Sequence, residues 1–215
     1  MAHEVETMAF TGATPWHGLG QPVDNNLSPH DMMVAAGVDW HVEIAPNCHP
    51  AGTIDQEGND YSGCEIEGSN YIRRTSDMAV LGPYVAGDGD EDSNGYKVVQ
   101  NEEMFNFFEP FIDDGSMFLH TAGSLNNGQR VWAMATTNES FYVDERKEND
   151  RIFNNLVFTI HHTGRNSNVA LMTPIRVVCA NTMRMAMNDC KDFVQHNHRV
   201  QWGDTAIKAM RTSLG

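Results

Sequence analysis

Apolar positions along the chain switch between helical spacing and strand alternation. SPHDMMVAAG (28–37) starts with Ser28 as a cap and Pro29 in the first turn and closes at Gly37, so it predicts a short helix. VDWHVEI (38–44) alternates apolar and polar residues and predicts a strand, with further strands over 64–73 and 78–85. Residues 10–27 carry Gly, Pro and Asn throughout and read as irregular. Asn101 then caps NEEMFNFFEPFI, where Met104, Phe105, Phe107, Phe108, Phe111 and Ile112 form a broad stripe expected to pack in the core.

The second half is richer in strands. Segments 117–125 and 129–136 flank Asn127-Gly128, a strong hairpin turn. Segments 151–162 and 167–173 flank Thr163-Gly164-Arg165-Asn166, a second hairpin with a cation at its tip. Thr173 and Pro174 predict the start of a helix running to 190, with Ile175, Val178, Cys179, Thr182, Met183, Ala186 and Met187 on one apolar face. At 100° per residue, Arg176, Arg184 and Lys191 fall on a neighbouring strip, with Asn181 and Asn188 beyond it. A strand over 194–200 and a last helix from Asp204 complete the order. The pattern predicts one α+β domain over 1–215: a curved antiparallel β-sheet with helices packed on one face, without βαβ alternation or internal repeat.

Charge changes the picture more than length does. The chain of 215 residues carries a net charge of −15. Residues 1–120 hold 3 Lys/Arg and 21 Asp/Glu, a net of −18, whereas 121–215 hold 11 and 8, a net of +3. That asymmetry fits a basic face that meets a polyanion, and it fits an unevenly acidic, salt-adapted protein equally well. No run of 18 apolar residues occurs, and the N-terminus lacks a signal-peptide pattern, so no membrane partner is expected. Cys48, Cys64, Cys179 and Cys190 form no CxxC pair, which suits a reducing host cytoplasm.

Five stretches resemble a known family: PWHGLG (15–20), AAGVDWHVE (35–43), VVQNEEMFNFF (98–108), AGSLNNGQRVWA (122–133) and TPIRVVCANTM (173–183). Together, in this order, they resemble the phage/plasmid-like protein family of unknown function. Two departures stand out. An acidic insertion, GDGDEDSNG (87–95), replaces a tight turn, and family members tend to continue beyond the position of Gly215. The resemblance implies a phage or mobile-element protein. A more distant likeness, at the level of fold, is to single-strand annealing recombinases of the Red-beta, RecT and Erf kind. Such proteins use no metal or nucleotide cofactor and work as homo-oligomeric rings or filaments on single-stranded DNA.

The residues that could serve this role are cations with flat side chains nearby. Arg165 on a hairpin tip, Arg176, Arg184 and Lys191 on the helix strip, and Arg130 and Arg199 on strands form the candidate DNA-binding set. Trp132, Trp202 and Tyr142 could stack on bases, although each also suits a core or rim. Catalytic and metal-binding residues are not expected. Asp88, Asp90 and Asp92 imitate the start of a calcium loop, but Ser93 and Val99 stand where a glycine and a bidentate Glu are required. His161, His162, His196 and His198 could gather imidazoles, yet no carboxylate or cysteine lies at a helpful spacing. The Gly-Leu-Gly of 18–20 is too short for a phosphate loop, Cys179 sits on an apolar face, and no nucleophile elbow is present. The expected function is therefore non-catalytic binding of single-stranded DNA. A self-assembling structural or host-interaction protein of phage origin is the first alternative, and a metal-dependent nuclease or hydrolase the second.

Overall fold

The computed structural model describes residues 3–85, 95–142, 151–190, 193–200, 202–203, 207–208 and 212. Lys191, the acidic run up to residue 94, the side chain of Tyr142 and most of the last expected helix lie outside the described residues. Of that helix, 207–208 and 212 are described and helical.

A seven-stranded sheet forms the centre. Its strands are β1 (Val5–Phe10), β2 (Gln21–Pro22), β6 (Met117–Leu125), β7 (Arg130–Tyr142), β8 (Arg151–His161), β9 (Asn168–Thr173) and β10 (Phe193–His196). The order across the sheet is β10-β9-β8-β7-β6-β1-β2, and the sheet does not close. All neighbours pair antiparallel except β1 and β2. A second, three-stranded antiparallel sheet consists of β3 (Val42–Cys48), β4 (Glu65–Arg74) and β5 (Val80–Val85). The fold class is the expected α+β arrangement around an antiparallel sheet.

Alternation along β7 explains how both faces of the large sheet are filled. Val131, Ala133 and Ala135 join one cluster with residues of α1 (Pro29–Ala35), α2 (Asn101–Asn106) and the Phe107–Phe108 pair. Trp132 and Met134 join another with Val177, Val178, Cys179 and residues of α4 (Ala180–Asp189). The helices therefore divide between two faces of the sheet, where a single covered face was anticipated. No helix among the described residues is long and apolar enough to cross a membrane.

Two predicted helices begin elsewhere than expected. Asn101 is not a cap: its buried amide donates to the carbonyls of Val38 and Trp40 at 2.8 and 3.1 Å. Gln100 takes the cap position, and its own N–H donates to Glu103 Oε2 at 2.6 Å. The predicted single helix then breaks after α2 and restarts as α3 (Glu109–Asp113), with Pro110 in its first turn. Residues 174–179 are not helical. α4 starts after Cys179, where Thr182 Oγ1 accepts from the Val178 and Cys179 N–H groups at 2.9 and 3.0 Å. The last strand is shorter than the expected 194–200, because the chain turns at Asn197, whose carbonyl accepts from Val200 N–H at 3.0 Å.

The small sheet docks where the β8–β9 hairpin ends. A Cβ on Gly82 would sit 2.8 Å from the His162 carbonyl oxygen, so only a glycine allows this approach without a shift. Tyr96 joins the cluster of Val42, Ile72 and Leu81 beneath this sheet. Arg74 ties the sheets together, since Nη1 donates to Glu6 at 3.0 Å and Nη2 to Asp77 at 2.8 Å, with Trp40 below its guanidinium.

Candidate functional site

Three segments remote in sequence meet at the end of the β8–β9 hairpin. Gly164 at φ 75° turns the tip, and His161 N–H donates to Asn168 Oδ1 at 3.1 Å across its base. His196 of β10 lies opposite Asn168 in the antiparallel register, which brings residues 197–199 beside the tip. The 95–99 segment closes the third side. Lys97 N–H donates to the His198 carbonyl, and Tyr96 O–H donates to the His161 carbonyl at 3.0 Å. Tyr96 stacks on the His198 ring at 4.4 Å between centroids.

The result is a polar cleft of about 320 Å³, lined by residues 95–96, 164–167 and 197–199. Arg165 and Arg199 are its exposed cations, and neither forms an ion pair among the described residues. Among the described residues, no acidic side chain lines the cleft. Two guanidinium groups on one concave face favour an anionic ligand.

His198 forms the inner wall and is only 6% exposed. Its Nδ1 lies 3.1 Å from the Lys97 carbonyl oxygen, which can only accept, so Nδ1 carries a proton. Nε2 is buried without a hydrogen bond; the Asn166 backbone lies near enough to favour the charged ring but forms no bond of proper geometry. Burial is the largest influence and holds the His198 pKa below its ordinary value.

The other candidate cations are placed differently. Arg176 lies before α4, so the anticipated helical strip does not form. Its Nη1 and Nη2 donate to the Ala13 and Thr11 carbonyls at 2.7 and 3.0 Å, anchoring the irregular N-terminal segment. Arg130 is tucked against α4, with Nε donating to Thr159 Oγ1 at 3.0 Å and Nη2 against Met187 Sδ, and burial lowers its pKa to about 10. Arg184 is exposed on α4, and Lys191 lies outside the described residues. Of the five that are described, Arg165 and Arg199 come together.

Aromatic and histidine candidates resolve into packing. Trp132 is fully buried and donates to Thr121 Oγ1 at 3.3 Å, while Trp202 is buried against Phe158 and His196. His161 and His162 are neighbours on and just after a strand, so their rings face opposite ways. His162 Nε2 bonds Asn101 Oδ1 at 2.9 Å, and burial pushes both pKa values down to about 3. Among the described residues, no three His, Cys, Asp or Glu side chains come together as a metal site. Sequence reasoning missed Tyr96, Asn166, Ser167 and Asn197 as cleft residues. The one available signal was the His-x-His at 196–198, which places His198 beside Arg199.

No curated protein and no solved structure matches the chain. Nothing in the comparisons links it to annealing recombinases. A family match begins at residue 91, so it takes in the stretches at 98–108, 122–133 and 173–183 but not those at 15–20 and 35–43. It runs over residues 91–215, more than half of the chain and every residue that lines the cleft, and it places the protein in the family described as a domain of unknown function, DUF932.

Proposed function

We propose that the protein binds single-stranded DNA without catalysing a reaction on it, with the cleft as the point where Arg165 and Arg199 engage phosphate. The observation that carries this reading is the convergence of two exposed arginines on one polar cleft, with no ion pair to either and no acidic lining residue among the described residues. A duplex is too wide to enter a cleft of about 320 Å³, whereas a single strand can turn a phosphate into it. The resemblance to mobile-element proteins points to recombination or annealing as the setting.

Two contacts and an otherwise acidic chain imply weak, salt-sensitive binding, no tighter than about 10⁻⁴ to 10⁻⁶ M at physiological salt. Self-association into a ring or filament belongs to the same reading. The large sheet is open, no other described strand pairs with the outer edge of β10, and Phe193 on that strand is 51% exposed. Fluorescence anisotropy of an oligothymidylate and of a matched duplex, at low and moderate salt, tests the reading. The single strand should bind more tightly and be released by salt. Equal binding of duplex, or no binding of either, would overturn it.

A further inference from the structure

We propose that Trp16 is a second contact surface, a stacking platform for one nucleobase of a bound single strand. The inference rests on the single-strand reading above and adds a site for a base to the one for phosphate.

Trp16 sits on a short turn that its neighbours hold in place. The Gly18 N–H donates to the Pro15 carbonyl at 2.9 Å and closes the turn over Trp16 and His17. His17 then fastens the turn to the body of the fold. Its Nδ1 accepts from the Leu19 N–H at 3.0 Å, so the ring proton lies on Nε2, which donates to the Val178 carbonyl at 3.0 Å. The chain leading in is fixed as well: Thr11 N–H donates to the His120 carbonyl, and Arg176 holds the carbonyls of Thr11 and Ala13. The indole takes no part in this anchoring. It meets the His17 ring edge-on, with 5.3 Å between centroids, and remains 70% exposed.

The surroundings of the ring decide what covers it. Among the described residues, none of the other exposed large apolar side chains lies on the segments that hold the turn, 3–23 and 174–180. The exposed neighbours Gly12, Ala13, Thr14 and Gly18 are small. One aromatic side chain offers about 150–250 Å². Each side of a stable protein interface buries roughly 800 Å², so the ring alone is too little for a protein partner or a second copy. A nucleobase asks for less. One flat face against one aromatic ring is the stacking unit of single-strand binding, and it accepts any base. Because the turn is already ordered, little entropy is lost on the protein side.

The test uses the tryptophan emission of the full chain. Trp132 and Trp202 are buried and Trp40 is partly buried, so long-wavelength emission and its quenching by acrylamide report on Trp16. At low salt an oligothymidylate should quench that emission and shield it from acrylamide, and an abasic strand of the same length should do neither. Trp16→Ala should weaken oligothymidylate binding about tenfold, leave abasic-strand binding unchanged and keep the native melting temperature. Trp16→Phe should recover part of the loss. Native affinity of Trp16→Ala for the oligothymidylate overturns the inference and leaves single-strand binding intact. A loss that is equal for the oligothymidylate and the abasic strand assigns the turn to phosphate contact or to the fold, and also overturns it. If no oligonucleotide binds the native protein at low salt, this inference and the single-strand reading both fall. A native oligomer that Trp16→Ala dissolves would then identify a second copy as the cover of the ring.

Discussion

Arg176→Gln separates an architectural arginine from a ligand-binding one. In the native protein the guanidinium bridges the carbonyls of Ala13 and Thr11 at 2.7 and 3.0 Å, and it fixes the N-terminal irregular segment over the start of the 174–179 stretch. Hydrogen bonds from a charged donor contribute about 1.5–3 kcal/mol each when shielded from solvent. The Ala13 contact is exposed, which reduces it to about 0.5–1 kcal/mol, and the Thr11 contact is part-buried. Glutamine can reach one carbonyl at most, so the expected loss is about 2 kcal/mol. For a chain of this size that lowers the melting temperature by roughly 4–8 °C. Arg184→Gln, on an exposed face, is the control and should stay within about 0.5 kcal/mol of wild type. A second readout is independent of stability. Burial first, then the Arg176 charge, lowers the His120 pKa to about 4, so removing the charge should raise it while burial keeps it below 6.5. Thermal melts and an NMR titration of His120 check both points. An unchanged melting temperature combined with lost oligonucleotide binding would refute the anchoring role and return Arg176 to the DNA-binding set.

Stability should also fall with acid, because His161 and His162 are held near pKa 3 by burial while the unfolded chain titrates near 6.5. Above about 6.5 both states are neutral; below it the unfolded chain binds protons that the folded one refuses, and stability drops until about pH 3. Two such groups give a slope near 2.7 kcal/mol per pH unit, measurable by denaturant melts at several pH values, and a flat profile would contradict their burial. Gly123→Ala should destabilise by about 1–3 kcal/mol or more, since the added Cβ meets the Thr7 carbonyl, Trp132 Cη2 at 2.6 Å and Met8 Cβ at 2.7 Å, whereas Gly203→Ala meets nothing. Chemical denaturation of the pair compares them directly. Calcium should leave the melting temperature unchanged, because Ser93 and Val99 occupy the key positions of the acidic run; a rise with calcium would reveal a site there.

The elements most legible in the sequence were those whose turns carry their own signature. Asn126, Asn127 and Gly128 all have positive φ, and the two strands they join run close to where the turn placed them. The helix at Ser28 is equally local: its hydroxyl oxygen accepts from Asp31 N–H at 3.1 Å, as the residue pattern implied. Thr173-Pro174 misled because Thr173 Oγ1 instead accepts from Ile175 N–H in a local turn, and the stripe of Ile175 and Val178 suits an extended segment on the sheet as well as a helix. β1 went unread. Its six residues include Glu6 and Thr7 and show no clean alternation, and only pairing with β6 makes it a strand. The cleft was illegible for a similar reason. Nothing in the neighbourhood of Tyr96, Arg165 or Arg199 announces that the β9–β10 register and the Lys97–His198 pair will bring them together.

The most direct measurement is the salt dependence of single-strand binding by the Arg165→Gln/Arg199→Gln double variant beside the native protein. Each phosphate contact contributes about 0.7 to the slope of log affinity against log salt on single strands, so losing two should flatten it by roughly 1.4. Affinity should fall similarly for all base sequences, and the melting temperature should not move, because both side chains are exposed. A double variant that binds with native affinity and native salt slope would contradict the assignment of the cleft, and a native protein that retains no single-stranded DNA in low salt would contradict the function itself.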